Sequence, residues 1–395
     1  MIIIKRIIQK LMYLMMFFIK FREPIILSNL DELKDTIDNK YHIKNILILS
    51  GKRVKETDYY KNLVNKLNNY SISCYDEIPS DPDLQSIEKA VQYSIDNKIE
   101  LIIAIGGGST MDACKIIASR ITNNISIPKM RGMLKIKKQP LDFILIPTTA
   151  GTGSECTVAS VVSDLDNNQK YAISDPKLIP YYTVLDPLSQ ITLPKFFIAT
   201  TGMDALTHAV EAYIGKATTK KTRKDSIDAI RLIFDNLYLS YTTPDLEAKK
   251  NMQIASYKAG LAFTRSYVGY VHAISHSIAA NYHLSHGYLN AVILPYVLNE
   301  YNNKIDKKIY KLMLALNYID KDTSKRDATI KFISMIKELN QKLDIDESLN
   351  LDLNDEVVNK MIIHCKKEVG YLYPVVCYFN DKTLKKLYNI IGNKK

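Results

Sequence analysis

The fold of this chain is decided by the stretch Leu101-Ile102-Ile103-Ala104-Ile105-Gly106-Gly107-Gly108-Ser109-Thr110-Met111-Asp112. A continuous apolar run leads into three glycines and then into a helical pattern, which is typical of a buried parallel strand that turns directly into a helix. Consecutive glycines let the backbone approach a diphosphate, and the helix N-terminus adds a partial positive charge. The stretch matches neither G-x-G-x-x-G nor G-x-x-x-x-G-K-[ST], so a simple tight turn is the alternative interpretation.

Short apolar runs alternate with helical patterns from about residue 43 to residue 150. The pattern predicts strands at 46–49, 71–75, 101–105 and 142–146 and helices at 59–67 and 85–97. Further strands at 158–163, 171–173 and 183–185 are expected to complete the same sheet. The alternation therefore predicts βαβ units and a Rossmann-like parallel sheet.

The second half of the chain has helical periodicity and few strand-like runs, with helices predicted at 226–239, 248–264, 327–343 and 355–368. We therefore expect two domains, an α/β dinucleotide-binding domain at 1–190 and an all-helical catalytic domain at 191–395. Ligand sites tend to lie in the cleft between such domains, so residues of both halves are expected to take part in the chemistry.

A second polar tract, Pro147-Thr-Thr-Ala-Gly-Thr-Gly-Ser-Glu155, also follows a predicted strand. It offers several hydroxyls beside two glycines. Two such tracts at the carboxyl ends of strands in one sheet favour a bound nucleotide.

Histidines are concentrated in one short window that contains His272, His276, His283 and His286. Another histidine, His208, follows Asp204 by four residues in a helical pattern, so the two side chains share one helix face. An aspartate and a histidine at this spacing, together with two later imidazoles, can hold one divalent cation. Any one of these histidines alone is better explained as a surface or hydrogen-bonded core residue.

The composition and charge of the chain argue against some classes of function. The 395 residues carry a formal charge of +11, but the lysines are spread along the whole chain and do not form the clustered stripe of a nucleic-acid-binding protein. Five scattered cysteines favour a reducing cytoplasm. The apolar run at 11–19 is too short for a membrane span, and we expect an ordered segment packed on the body, with contact to a membrane surface as the alternative.

Four motifs together resemble the iron-containing alcohol dehydrogenases: Gly106–Asp112, Pro147–Glu155, Gly202-Met-Asp-Ala-Leu-Thr-His-Ala-Val-Glu-Ala-Tyr213 and the spacing from His272 to His286. The resemblance continues through Asn290–Tyr296 and Glu368–Val375. It implies the fold shared with dehydroquinate synthase, a homodimer, and an N-terminal segment that belongs to an ordinary cytosolic protein.

The resemblance also implies the site residues. The metal ligands would be Asp204, His208, His272 and His286, and His276 would be a proton relay near the nicotinamide. The cofactor would be bound by Gly106, Gly107, Gly108, Ser109, Asp112, Thr148, Thr149, Thr152 and Lys170. His283 and His364 match no functional position of the family and are interpreted as surface or packing residues.

One departure from the family pattern affects the cofactor. Many members carry Thr-Asp after the first strand, where this chain reads Leu49-Ser50-Gly51-Lys52-Arg53. A carboxylate there would repel a 2′-phosphate, whereas Gly51 leaves room and Lys52 or Arg53 can pair with it. We therefore expect NADP(H) to be used at least as well as NAD(H). The alternative is that both cations are simply solvated.

These features predict an NAD(P)-dependent, metal-dependent alcohol dehydrogenase or aldehyde reductase for small primary alcohols. A divalent cation, Fe(II) by resemblance and otherwise Zn(II) or a similar ion, would stabilise a bound alkoxide while a hydride moves to or from the cofactor. One alternative is a glycerol-type or dehydroquinate-type zinc enzyme of the same fold. The other is a binding protein that has lost its catalytic activity.

Overall fold

The computed structural model describes residues 9, 21–167, 169–371 and 373–392, without the side chain of residue 371. The chain divides into two compact units, and the division falls between Pro194 and Lys195. Gln9 groups with the second unit, and its side chain donates a hydrogen bond to the backbone carbonyl of Tyr373, at 2.8 Å. The apolar segment 11–19, predicted to pack on the body, lies outside the described residues.

Nine strands form two sheets in the described part of the first unit. They are β1 (Ile25–Leu27), β2 (Asn45–Ser50), β3 (Ser71–Tyr75), β4 (Leu101–Gly106), β5 (Gly132–Met133), β6 (Phe143–Pro147), β7 (Ala159–Asp164), β8 (Gln169–Ser174) and β9 (Tyr182–Val184). Six of them make a wholly parallel sheet in the order β1-β9-β6-β4-β2-β3. The predicted α/β fold class is therefore confirmed, and β1 is a strand that the sequence analysis missed.

The prediction that residues 158–163 and 171–173 complete the parallel sheet is wrong. β7 and β8 pair antiparallel, from Ala159 opposite Ser174 to Asp164 opposite Gln169, and form a hairpin that β5 extends into a separate three-stranded sheet. An alternating apolar pattern shows that a segment is a strand but does not show which sheet it joins.

Helices cover both faces of the parallel sheet. They are α1 (Leu30–Lys40), α2 (Lys52–Lys55), α3 (Asp58–Lys66), α4 (Leu84–Asp96), α5 (Gly108–Thr122) and α6 (Ile127–Met130), with 3₁₀ turns at Ser154–Cys156, Pro176–Leu178 and Pro187–Gln190. Leu47 and Leu49 of β2 pack with α4 and α5, whereas Ile46 and Ile48 pack with α1 and α3. Because successive strand residues point to opposite faces, one apolar strand contributes to two cores.

The strand order places β2 beside β4, and their onward connections leave in opposite directions: β2 leads to β3 on one side, and β4 leads to β6 on the other. Ligands of open α/β sheets bind outside the carboxyl ends of the strands at such a switch point. Gly51 follows β2 directly and Gly106 ends β4, so both lie at this point.

The second unit is helical throughout its described residues. Its helices are α7 (Lys195–Ile214), α8 (Lys220–Thr242), α9 (Leu246–Ser266), α10 (Tyr270–Tyr282), α11 (His286–Tyr301), α12 (Asn303–Ala315), α13 (Lys325–Lys342), α14 (Asp355–Tyr371) and α15 (Asp381–Ile391). Each predicted helix of this half lies within one of them or extends past its end by one residue. None of the described helices is both long enough and apolar enough to span a bilayer.

Candidate metal centre

Helix α7 brings two of the predicted ligands together. Every residue from Gly202 to Ile214 is buried, because α8, α9 and α11 all pack against α7. A β-carbon on Gly202 would lie 2.3 Å from Leu237 Cδ1, so this close approach to α8 requires glycine. Asp204 and His208 lie one turn apart on this buried helix, which makes two polar side chains part of an apolar core.

The four predicted metal ligands converge. Asp204, His208, His272 and His286 each offer one ligand atom, and these atoms lie within 4.8 Å of one another. Oδ1 of Asp204 is 3.6 Å from Nε2 of His286 and 3.9 Å from Nε2 of His272, while Oδ2 is 3.9 Å from Nδ1 of His208. Side chains from α7, α10 and the first residue of α11 thus surround one point.

Glu211 orients His272. Its carboxylate lies 2.7 Å from Nδ1 of His272 and accepts backbone N–H bonds from Gly269, at 2.7 Å, and Val271, at 2.8 Å. The carboxylate therefore fixes both the start of α10 and the imidazole ring, which leaves Nε2 facing Asp204. Burial raises the pKa of Glu211 to about 7, although these backbone donors oppose the shift. The sequence analysis missed Glu211, but its position three residues after His208 on the same helix face was a usable signal.

Asn290 is a second neighbour that the sequence analysis did not single out. Its amide nitrogen donates to Oδ1 of Asp204 at 2.7 Å and lies 3.2 Å from Nε2 of His272 and 3.1 Å from Nε2 of His286. Its own Oδ1 is buried and has no hydrogen-bond partner among the described residues. Asn290 follows His286 by four residues in α11, which is the spacing that places both on one helix face.

The chemistry of this donor set fits a divalent cation. Burial, together with the neighbouring histidines, holds the pKa of His272 well below its usual range, so its ring is neutral and its Nε2 carries a lone pair. Three imidazoles and one carboxylate are borderline ligands that suit Fe(II) or Zn(II). A buried polar cluster of this kind is costly without a cation to bind its lone pairs.

The remaining histidines lie in three different environments. The His276 ring stacks on that of His286 with centroids 5.1 Å apart, and its Nδ1 is 2.7 Å from Oε1 of Glu368. His283 is the left-handed residue that ends α10, with φ of 53°, so its position is a structural one. His364 is exposed on α14.

The glycine turn at 106–108 is lined by the second polar tract, within the α/β unit. The backbone N–H of Thr148 donates to the carbonyl of Gly106 at 2.9 Å. A β-carbon on Gly108 would lie 2.8 Å from Thr152 Cγ2, and one on Gly107 would lie 3.5 Å from Thr149 Cγ2. The Thr149 hydroxyl is buried and has no hydrogen-bond partner among the described residues. This cradle, with an unpaired hydroxyl beside a helix N-terminus, fits a bound diphosphate.

Three other predicted cofactor residues make contacts within the protein. The Asp112 carboxylate accepts from Ser154 Oγ at 2.6 Å and from the Val161 N–H at 2.9 Å, so it ties α5 to the threonine tract and to β7. Ser109 Oγ donates to the carbonyl of Ser80, and Lys170 Nζ pairs with Asp81 at 2.6 Å.

Gly51 and Lys52 stand at the end of β2. Gly51 precedes α2 with φ of −86°, and a β-carbon built on it would meet no atom within 4 Å. Lys52 and Arg53 are exposed in the first turn of α2, whereas Lys55 pairs with Asp76 at 3.0 Å. Glu77 forms an isolated backbone bridge with Gly51, so one acidic residue also lies beside this position.

Comparison with known proteins gives the family. The model of the iron-containing alcohol dehydrogenase family matches residues 26–187, and that of its C-terminal region matches residues 198–388. Alcohol dehydrogenase 4 of Saccharomyces cerevisiae is 31% identical over 375 residues, which cover 91% of this chain and 94% of the yeast protein. This chain belongs to the iron-containing alcohol dehydrogenase family.

Other members of the iron-containing alcohol dehydrogenase family match over less of the chain or at lower identity. The NADPH-dependent butanol dehydrogenase of Clostridium saccharobutylicum is 30% identical over 78% of this chain and 79% of its own length. A solved alcohol dehydrogenase from Oenococcus oeni superposes with a TM-score of 0.89 at 25% identity, covering 94% of this chain and 99% of that one. The aldehyde-alcohol dehydrogenase of Streptococcus pneumoniae is 34% identical over 271 residues, which cover 65% of this chain. The match spans only 31% of that longer protein.

Proposed function

We propose that this protein is a divalent-metal-dependent alcohol dehydrogenase or aldehyde reductase that acts on small primary alcohols and their aldehydes with NAD(H) or NADP(H). The observation that carries the proposal is the convergence of Asp204, His208, His272 and His286 within 4.8 Å. The name of the butanol dehydrogenase relative supports a short-chain substrate and a nicotinamide cofactor.

Each residue of the centre has a separate role in the proposed reaction. When bound, a divalent cation supplies Lewis acidity that polarises a carbonyl oxygen, and a reduced nicotinamide supplies the hydride. Asp204 would contribute the negative charge that holds the cation, and the three imidazoles would contribute lone pairs. Glu211 and Asn290 keep these ligands in position through hydrogen bonds. His276, stacked on His286, is the residue that we propose exchanges a proton with the substrate oxygen.

A direct assay tests this function. Purified protein is analysed for bound metal, stripped with a chelator, and reloaded under anaerobic conditions with Fe(II) or Zn(II). Oxidation of NADH and of NADPH is then followed with straight-chain aldehydes of increasing length. We expect metal-dependent turnover of short aldehydes. Turnover of glycerol alone would favour a glycerol-type enzyme, and stoichiometric metal without any turnover would favour a binding protein.

We also propose that the enzyme uses NADPH at least as well as NADH. Gly51 provides space without a carboxylate at the switch point of the sheet, and Lys52 and Arg53 place two cations next to it. Glu77 opposes them with one charge against two, and solvent screens all three of these exposed side chains.

Gly51→Asp is expected to lower kcat/KM for NADPH by about tenfold relative to NADH, because a carboxylate beside a 2′-phosphate costs on the order of 1.4 kcal/mol. The side chain fits without strain, since φ is −86° and the space is open. Steady-state kinetics with both cofactors give the ratio.

Asn39→Asp is the matched control for the NADPH experiment, because it adds the same charge at an exposed position of α1. It should leave the cofactor ratio unchanged. An unchanged ratio in the Gly51 variant would mean that residue 51 does not face the adenosine ribose, and the NADPH proposal would fail.

Two further properties belong to the same proposal. We propose a homodimer, which sedimentation of the purified protein would test. We also propose a cytoplasmic location, supported by five free cysteines. Fractionation of cells that produce the tagged protein would test the location.

A further inference from the structure

A carboxylate from α14 reaches the proposed proton-transfer histidine. Oε1 of Glu368 lies 2.7 Å from Nδ1 of His276, and the Tyr373 hydroxyl donates to the same oxygen. Helix α14 packs against α10, so the two residues face each other across a helix interface. Because a carboxylate accepts hydrogen bonds, Nδ1 carries the proton of a neutral His276 ring.

The surroundings of Glu368 keep this contact in place. Only 16% of the Glu368 side chain is exposed, against 38% of the His276 side chain. Tyr373 is buried, so its hydroxyl is fixed by packing. Burial disfavours the charged form, yet the attraction and hydrogen bond of His276 and the hydrogen bond of Tyr373 hold the pKa of Glu368 below its usual range. An ionised, largely buried acceptor with two donors restricts the rotation of the ring that it holds.

We propose that Glu368, held by Tyr373, is a positioning residue that fixes the ring orientation and the tautomer of His276, so that Nε2 is the nitrogen that acts on the substrate. The role in turnover rests on the proposed function. Glu368 itself touches neither substrate nor metal ligand in this assignment, and it acts only through His276. Its effect on catalysis should therefore disappear when His276 is absent.

The kinetic test is a double-mutant cycle on the metal-loaded enzyme. Glu368→Leu should retain bound metal and the KM for aldehyde, while kcat falls roughly tenfold to a hundredfold, the range found when a residue that orients an active-site imidazole is lost. His276→Ala should also retain metal and slow turnover. Adding Glu368→Leu to His276→Ala should then lower kcat no further. A multiplicative fall in the double variant, or parent kcat in Glu368→Leu, would overturn the proposal.

Tyr373→Phe is the variant to use if Glu368→Leu does not fold. It removes only the hydroxyl that holds Glu368, and it should lower kcat several-fold with His276 present and not at all in the His276→Ala background. Asn359→Ala is the matched control, because Asn359 is uncharged and exposed on the same helix. It should keep the parent kcat. A fall in its kcat equal to that of Glu368→Leu would show that kcat responds to any substitution in α14, and this would overturn the proposal.

A spectroscopic measurement tests the positioning role of Glu368 independently of the proposed dehydrogenase activity. In zinc-loaded protein, which is diamagnetic, long-range ¹H–¹⁵N spectra distinguish protonated from unprotonated ring nitrogens, and His276→Ala identifies the signals. The parent should show a protonated Nδ1, and Glu368→Leu should show a mixture of tautomers. A protonated Nε2 in the parent would overturn the proposal. If no alcohol or aldehyde is turned over but the tautomer shift is seen, the proposed function fails while the positioning role stands.

Discussion

Asp204→Ala is expected to leave a folded protein that has lost bound divalent metal and nearly all dehydrogenase activity. The variant retains three imidazoles without the anionic ligand, and the stabilisation lost in the reaction is several kcal/mol, so kcat/KM should fall by about a thousandfold or more. Helix α7 should persist, because alanine favours a helix and the rest of the segment is buried apolar surface. Elemental analysis measures the metal, and circular dichroism measures the fold.

Asp322→Ala is the control for the removal of one negative charge, since Asp322 is exposed in a loop of the same unit. It should retain metal and activity. Stoichiometric metal and parent turnover in Asp204→Ala would show that the ligand assignment is wrong.

Glu211→Gln is expected to weaken metal binding by about tenfold to a hundredfold and to lower the free energy of unfolding by about 1–3 kcal/mol. An amide offers one acceptor oxygen where the carboxylate accepts from Gly269, Val271 and His272 with two, so a buried donor is left without a partner. Gly269→Ala should act in the same direction, because its β-carbon would lie 2.7 Å from Oε1 of Glu211. The expected effect of Gly269→Ala is therefore a steric one on the Glu211 carboxylate.

Chelator competition measures the metal affinity of the Glu211 and Gly269 variants, and denaturant unfolding measures their stability. Glu247→Gln, at an exposed position in the first turn of α9, should change neither quantity. If Glu211→Gln binds metal as the parent does, the hydrogen bond to His272 does not control the ligand, and its role is confined to the start of α10.

The four candidate ligands could be singled out in the sequence because their signals are local. Asp204 and His208 share a helix face at a spacing of four residues, and the remaining imidazoles come from one crowded window. The choice of His272 and His286 among those histidines as the proposed metal ligands came from the resemblance to the family and not from spacing. The structure brings the four together and keeps His283 at the end of α10 and His364 on the surface of α14.

Residues that act through other residues were harder to predict. Glu368 reaches His276 from a helix that lies far along the chain, and no local pattern encodes that pairing. The contacts of the Asp112 carboxylate with Ser154 and Val161 were likewise not predicted, and its place at the diphosphate stays a prediction. Side-chain partners across elements depend on packing, which a periodic pattern does not specify.

Strands were predicted more reliably than their sheet membership. The buried strands β2, β4 and β6 are continuous apolar runs, and their predicted and observed bounds differ by only one residue. The hairpin of β7 and β8 has similar runs but pairs antiparallel. The short edge strand β1 was missed because three residues give too little pattern. The helix α1 was also missed, although its 11 residues place the buried Leu30, Leu33 and Ile37 at helical spacing.

All four proposed ligand residues lie after the division at Pro194, and this affects the order of events as the chain is made. During synthesis, domains fold as units and the N-terminal one folds first, so the α/β unit is complete before any ligand has left the ribosome. His286 is the last ligand to emerge, and a four-ligand site exists only after it. Scarcity of the cation during translation therefore affects the later unit alone.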